Sequence, residues 1–332
     1  VNVLLDARET RRMSAGMRAY VRELAARLPI VAPDIDLRTV ERGENFSFTE
    51  QVEIPFASRN CDLVHYPTIF APVILPKVYV VTIHDLIHLR YPQLFSRTTG
   101  AYYTLFVRRL INGAARLIVG DWRTRDDLEK FFDVGRERIS VVALGYDPAL
   151  LSTPPRIADR YLLYVGNHRA HKNLATLVAA WDKLPPDIEI DLALTGTEDI
   201  ELPTRHGGRR LVFLGDLSPE ETGAAIRGAT ALIQPSLAEG FGLPVLEAIV
   251  RHIPVIAAED AYPGFLKAFV GRFPATDVDA LRALLEEVAT DPQRLRALAI
   301  EGEAVAREYT WDRFAAKVAA VYRTALEDVA AT

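Results

Sequence analysis

The chain has 332 residues, 49% hydrophobic and 25% charged, which suits an ordinary globular protein with room for two cores and excludes a disordered or fibrous one. A net charge of −5 argues against a general nucleic-acid binder, and a single cysteine, Cys61, excludes an internal disulfide or a cysteine metal cluster. No basic leader precedes VNVLLDAR and no apolar run approaches the eighteen or so residues that span a bilayer, so a cytoplasmic protein is expected, with a peripheral contact to the inner membrane face left open.

In chain order, short runs of Val, Ile and Leu alternate with longer stretches of helical spacing. Residues 1–7, 61–66, 77–85, 115–120 and 139–144 predict strands. Their near-continuous apolar character fits parallel strands buried on both faces. Met17–Leu28 and Arg97–Asn112 predict helices between them, and Tyr102, Tyr103 and Phe106 are spaced like the core face of the second. The pattern then restarts, with strands expected at 161–166, 189–196, 210–215, 230–236 and 253–258. Helices are expected over Leu174–Lys183, Pro219–Gly228, Leu243–Arg251, Val278–Ala289, Asp291–Glu308 and Trp311–Glu327. Two successive halves of this kind imply an α/β protein of two doubly wound, Rossmann-like domains facing each other across a cleft. The proline-rich stretch 147–160 sets the boundary, giving domains 1–150 and 151–310, with 311–332 as a helix placed to pack back on the first.

Ligands of such sheets bind at the carboxyl ends of the strands, so chemistry is sought in the loops that follow them. AEGFGLPVLE (238–247) is such a loop, running into a helix whose first turn suits Pro244. Gly240 and Gly242 permit unusual backbone angles and close approach of a ligand. Glu239 and Glu247 are no same-face pair, because eight helical residues turn through roughly 800° and leave them about 80° apart. One carboxylate lies before the helix and the other one turn inside it. That suits a long ligand with two sets of hydroxyls, such as the ribose and hexose of a nucleotide-sugar. A plain helix start with a surface glutamate is the alternative. The second loop, YVGNHRAHKN (164–173), gathers His168, Arg169, His171 and Lys172 at a strand end before a helix, which suits a diphosphate or simply a solvated basic loop.

Together these motifs resemble family 4 retaining glycosyltransferases of the GT-B fold, over nearly the whole length. AEGFGLPVLEAI with IPVIAA is similar to the family's signature of two glutamates separated by seven residues, and YVGNHRAHKNL to its diphosphate loop. LLDARETRRMSAGMRAYVRELAARL resembles the N-terminal loop and helix, and REYTWDRFAAKVAAVY the closing helix. VVTIHDLIHLRYPQLFS with AYYTLFVRRL resembles a subset rich in mannosyltransferases of polysaccharide synthesis. The resemblance implies that Glu247 holds the ribose and Glu239 the donor hexose. It implies that Gly240, Phe241, Gly242 and Leu243 contact sugar and phosphate through backbone amides, and that Lys172, with Asn167 and Arg169, meets the diphosphate. Gly16 would approach the donor phosphate, and His84, followed by Asp85, would stand at the reaction centre as a positioning group. The chain departs from the pattern at Asn167 and His171, where arginine is common, and at Arg251–His252, where a Cys-Gly pair is usual.

The implied activity is metal-independent transfer of a hexose, mannose from GDP-mannose first, to a saccharide or glycolipid acceptor. UDP-glucose or another UDP-sugar is the alternative donor, and a non-catalytic sugar-nucleotide binder or scaffold the alternative function. Glycoside hydrolysis fits poorly, because its two carboxyls must flank one bond. Arg8, Arg11, Arg12, Arg18, Arg22 and Arg27 crowd the first loop and helix. An anionic acceptor or lipid surface would suit them, as would a solvated face; Arg11, Arg12, Arg18 and Asp85 are the acceptor candidates. His65 and His88 lie near His84, but without spacing for a closed metal site, so no metal and no cofactor beyond the donor substrate is expected.

Overall fold

A computed structural model of the chain describes residues 1–11, 13–94, 103–152, 160–196, 205–206, 208–259, 261–262 and 264–331. It divides into two compact units: Val1–Gly145 with Tyr309–Thr332, and Tyr146–Glu308.

The first unit is built on β1 (Asn2–Asp6), β2 (Asp36–Val40), β3 (Leu63–Tyr66), β4 (Tyr79–Ile83), β5 (Arg116–Val119) and β6 (Ile139–Val141), all parallel, in the order β2-β1-β3-β4-β5-β6. Strands β3 and β4 are buried at every position. That explains their unbroken apolar runs. Strand β2 at the sheet edge reads DLRTV and buries only Val40, so it carries no such run and sequence periodicity misses it. The helices are α1 (Ala15–Val31), α2 (Phe48–Ala57), α3 (Ile87–Arg90), α4 (Arg108–Gly113) and α5 (Trp122–Phe132). Ser14 caps α1 by accepting the amide of Met17, and Asp121 caps α5 by accepting that of Thr124. Of the helix expected over Arg97–Asn112, residues 97–102 lie outside the described residues and the remainder is helical, Tyr103–Val107 running into α4. Phe106 is a correction: helical spacing assigned it to the core, yet it is 51% exposed. Tyr102 and the side chain of Tyr103 lie outside the described residues.

The second unit carries β7 (Tyr161–Tyr164), β8 (Asp191–Leu194), β9 (Arg205–His206), β10 (Arg209–Phe213), β11 (Ala231–Gln234), β12 (Val255–Ala258) and β13 (Gly271–Phe273). Their order is β13-β12-β11-β7-β8-β10-β9, with only the short edge strand β9 antiparallel to its neighbour. The helices are α6 (Leu174–Asp182), α7 (Pro219–Gly228), α8 (Leu243–Ile249), α9 (Gly264–Lys267), α10 (Val278–Thr290) and α11 (Gln293–Ala306). Helix α7 starts with a capping box, Ser218 and Glu221 each accepting the other's backbone amide. Strand order reverses between β7 and β11, so the loops after these two strands flank the position where doubly wound sheets take ligands.

The last helix, α12 (Trp311–Ala330), belongs to the first unit and packs on α1. Phe314 meets Tyr20 edge-on at 4.8 Å, and the Tyr322 hydroxyl bonds His65 Nδ1 at 2.7 Å. His65 Nε2 bonds Thr82 Oγ1 (2.8 Å), which bonds the Tyr20 hydroxyl (2.7 Å), so one buried polar chain joins α12, β3, β4 and α1.

Candidate active site

In the second unit the two sequence motifs meet. The lysine loop leaves β7 and the glutamate loop leaves β11, and these strands are neighbours. The Leu237 amide donates to the His171 carbonyl (2.8 Å) and so ties loop to loop. Asn173, at φ +58°, anchors the lysine loop by donating its side-chain amide to the carbonyls of Pro235 (3.1 Å) and Ala275 (2.7 Å).

The result is a charged pair between residues 67 apart in sequence. Lys172 Nζ donates to both oxygens of Glu239, at 2.7 and 2.8 Å. Ser236 Oγ donates to Glu239 Oε1 (2.5 Å), and the Tyr262 hydroxyl lies 3.5 Å from it. Burial works against charge on Glu239, but Lys172, Ser236 and His171 outweigh it and hold its pKa below the ordinary glutamate value. Glu239 is therefore ionised at neutral pH. Ser236 and Tyr262 escaped sequence reasoning, because a serine and a tyrosine 26 positions apart carry no periodic or motif signal.

The turn from Glu239 into α8 depends on Gly242, which stands at the helix start with φ +89°. A Cβ there would come within 2.6 Å of Tyr262 Cδ1. Gly242→Ala is expected to lower stability by about 1–3 kcal/mol and to displace Tyr262 from the carboxylate, as read by chemical denaturation. Phe241 is buried beside it, 5.9 Å from Phe265 between ring centres. Glu247 sits inside α8, where burial raises its pKa and the Arg251 charge only partly opposes that. Arg251, one of the departures from the family pattern, is half-buried. Its guanidinium donates to the carbonyls of Glu247 (2.8 Å) and Leu150 (2.9 Å). Of the remaining candidates, Asn167 and Arg169 are exposed at the tip of the lysine loop, and His171 is buried beneath it. His168 turns away, its Nε2 donating to the Thr195 carbonyl at 2.8 Å.

In the first unit His84 follows β4. Its Nε2 donates to the Pro67 carbonyl (2.8 Å), which leaves Nδ1 as the acceptor of a neutral ring. Burial lowers its pKa more than the Pro67 bond and Asp85 raise it, so the ring is neutral at pH 7. Tyr20 packs edge-on against it at 5.1 Å. Asp85 accepts the amide of Ile87 (3.1 Å) and so shapes the start of α3. Gly16 lies in the first turn of α1 with space around it, its added Cβ meeting only Ser14 Oγ at 4.0 Å. Arg11 is exposed and Arg18 half-buried, while Arg12 lies outside the described residues. Arg8 corrects the reading of a solvent-facing arginine cluster. It is buried, donating to Asp6 (2.7 Å to each oxygen) and to Glu50 (2.9 Å). Arg22 and Arg27 reach Glu23, and Arg27 also reaches Asp312. Among the described residues no group of three His, Cys, Asp or Glu could hold a metal ion, and no helix is long and apolar enough to cross a membrane.

Comparison with known proteins matches both units. Residues 18–150 match the family model described as Glycosyltransferase Family 4, and residues 154–305 that of Glycosyl transferases group 1. The chain belongs to glycosyltransferase family 4. The chain is 29% identical over 239 residues to the MMP alpha-(1->4)-mannosyltransferase of Mycolicibacterium hassiacum, covering 68% of the chain and 57% of the relative. It is 25% identical over 285 residues to the O-antigen chain mannosyltransferase B of Escherichia coli, covering 79% and 74%. The chain thus spans little more than half of the first relative's length. The fold is that of GT-B glycosyltransferases. Anabaena Alr3699/HepE in complex with UDP-glucose superposes over both whole chains with a TM-score of 0.75 at 16% identity.

Proposed function

We propose that this glycosyltransferase transfers mannose from GDP-mannose to a saccharide or glycolipid acceptor, with retention of configuration and without a metal. The observation that carries the reading is the Lys172–Glu239 pair at the adjoining ends of β7 and β11. An ammonium group has three hydrogens, so Lys172 can keep a bond to Glu239 while donating to a phosphate oxygen. Glu239, ionised and held rigidly, accepts hydroxyls of the hexose, and Glu247 accepts those of the ribose. When the bond from the anomeric carbon to the diphosphate breaks, its electron pair goes to the phosphate oxygen, where the Lys172 charge stabilises it. The acceptor oxygen bonds the same face of the sugar and passes its proton to the departing phosphate. His84, neutral and accepting at Nδ1, positions a sugar hydroxyl and is no general base. The two relatives named as mannosyltransferases support mannose; the UDP-glucose complex of a fold neighbour supports a UDP-sugar as the second reading.

Calorimetry with GDP, UDP, ADP, GDP-mannose and UDP-glucose tests this. Selective binding of GDP and GDP-mannose is expected; selective binding of UDP would move the donor to the second reading, and no binding at all would sink the transferase reading. Glu247 sharpens the test. Its raised pKa means that its charge opposes folding as pH rises through that value. Glu247→Gln is therefore expected to raise the unfolding temperature at neutral pH while weakening nucleotide-sugar binding about tenfold. In the unmodified chain, affinity falls on acidification from above the ordinary glutamate range.

A further inference from the structure

Helix α2 turns its apolar stripe outward. Phe48, Val52 and Phe56 recur every fourth residue, with Phe48 and Phe56 85% and 67% exposed, whereas Glu50 and Ile54 on the opposite side are buried. A helix of a globular unit normally does the reverse. The stripe does not stand alone. Gln51 accepts the amide of Val73 (2.7 Å) and joins α2 to the segment carrying Val73 and Ile74. An open cavity of about 260 Å³ lies against both, walled by Phe46, Ile69, Leu75, Phe106 and Arg109 among others. Of thirteen large hydrophobic side chains exposed among the described residues, seven belong to α2, to the Val73–Ile74 segment or to the cavity wall. Scattered apolar residues are normal on a surface, but such a cluster marks a contact.

The face is held in shape from beneath. Phe46 is a non-glycine residue at φ +65°, a conformation that persists only where its surroundings impose it. Its amide donates to Glu50 (2.6 Å), and the other Glu50 oxygen takes Arg8, which also donates to the Glu44 carbonyl. The buried ion cluster thus fixes the loop that presents Phe46.

Charge names the occupant. The first unit has 23 Lys and Arg against 20 Asp and Glu, whereas the second has 16 against 24. The chain's negative charge therefore resides in the other unit, and the apolar face lies in the positive one. Exposed Arg59 and Arg109 accompany it, Arg59 beside Phe56 and Arg109 in the cavity wall, against exposed Glu53 on α2. The Arg59 guanidinium lies 5.2 Å over the Phe56 ring, an apolar ring paired with a cation as an interfacial helix requires. We propose that this face docks the first unit on an anionic bilayer surface, Phe48 and Phe56 entering the headgroup boundary and the arginines meeting lipid phosphates. The proposal stands apart from the donor reading, since no residue of the Lys172–Glu239 site takes part.

Flotation of the full chain with vesicles of phosphatidylcholine alone, or mixed with phosphatidylglycerol, tests it. Binding to the mixed vesicles is expected, weakening as salt is added. Phe48→Ser with Phe56→Ser should lower partitioning about tenfold while leaving the unfolding temperature and nucleotide binding unchanged. Arg59→Glu with Arg109→Glu should reduce the preference for the anionic vesicles. No flotation with either vesicle, or flotation that the double serine variant leaves intact, overturns the proposal. A dimer that the same variant dissolves, without flotation, would name a second copy of the chain as the occupant instead.

Discussion

Lys172→Met is expected to abolish nucleotide-sugar binding and to lower the unfolding free energy by about 2–4 kcal/mol. Both side chains of the pair are nearly enclosed, at 14% and 13% exposure. Removing the cation leaves Glu239 without the partner that keeps it ionised. The pH dependence should change sign with it. In the unmodified chain the lowered pKa of Glu239 contributes stability that is present above the ordinary glutamate value and lost as pH falls through the folded value. In Lys172→Met burial acts without its main opponent, the folded pKa rises, and stability increases on acidification. Lys172→Met combined with Glu239→Gln should recover most of the stability and none of the binding. Denaturation midpoints across acidic pH, beside calorimetry, separate the two effects. A single variant as stable as the parent at every pH would show that the pair contributes nothing to the fold.

Arg8→Met should cost about 3–5 kcal/mol, a loss confined to the first unit. Arg8 lies between Asp6 and Glu50 with 2% of its side chain exposed, and its removal strands two buried carboxyls. Burial already raises the pKa of Asp6 despite the arginine. A group so raised contributes stability below its unfolded pKa that is lost as pH rises through the folded one. The variant is therefore expected to be least stable at neutral pH and to regain stability in acid. Adding Asp6→Asn and Glu50→Gln should restore much of it at pH 7. The check is urea denaturation of the three proteins at both pH values.

The doubly wound halves and the two site loops were legible because parallel strands buried on both faces leave unbroken apolar runs, and because ligand loops must follow such strands. The pairing of Lys172 with Glu239 was not legible, since it arises only when β7 and β11 become neighbours. Ser236 and Tyr262 were hidden for the same reason. Arg8 was misread because a charge in a loop beside other arginines resembles a solvated face. Its partners are a carboxylate two residues back and another 42 residues on, and only the fold brings the second one in. Phe106 failed in the opposite way. Helical spacing of apolar residues shows that they share a side, and says nothing of whether that side faces a core.

The placement of α12 has a consequence for synthesis. The first unit consists of the leading 145 residues and a segment beginning at Tyr309, with the whole second unit between them in sequence. Until that segment leaves the ribosome, His65 lacks its tyrosine and α1 lacks the helix that covers it, so the nascent first unit exposes apolar surface while the second can already close. The later domain can therefore close on its own before the earlier one has all of its parts.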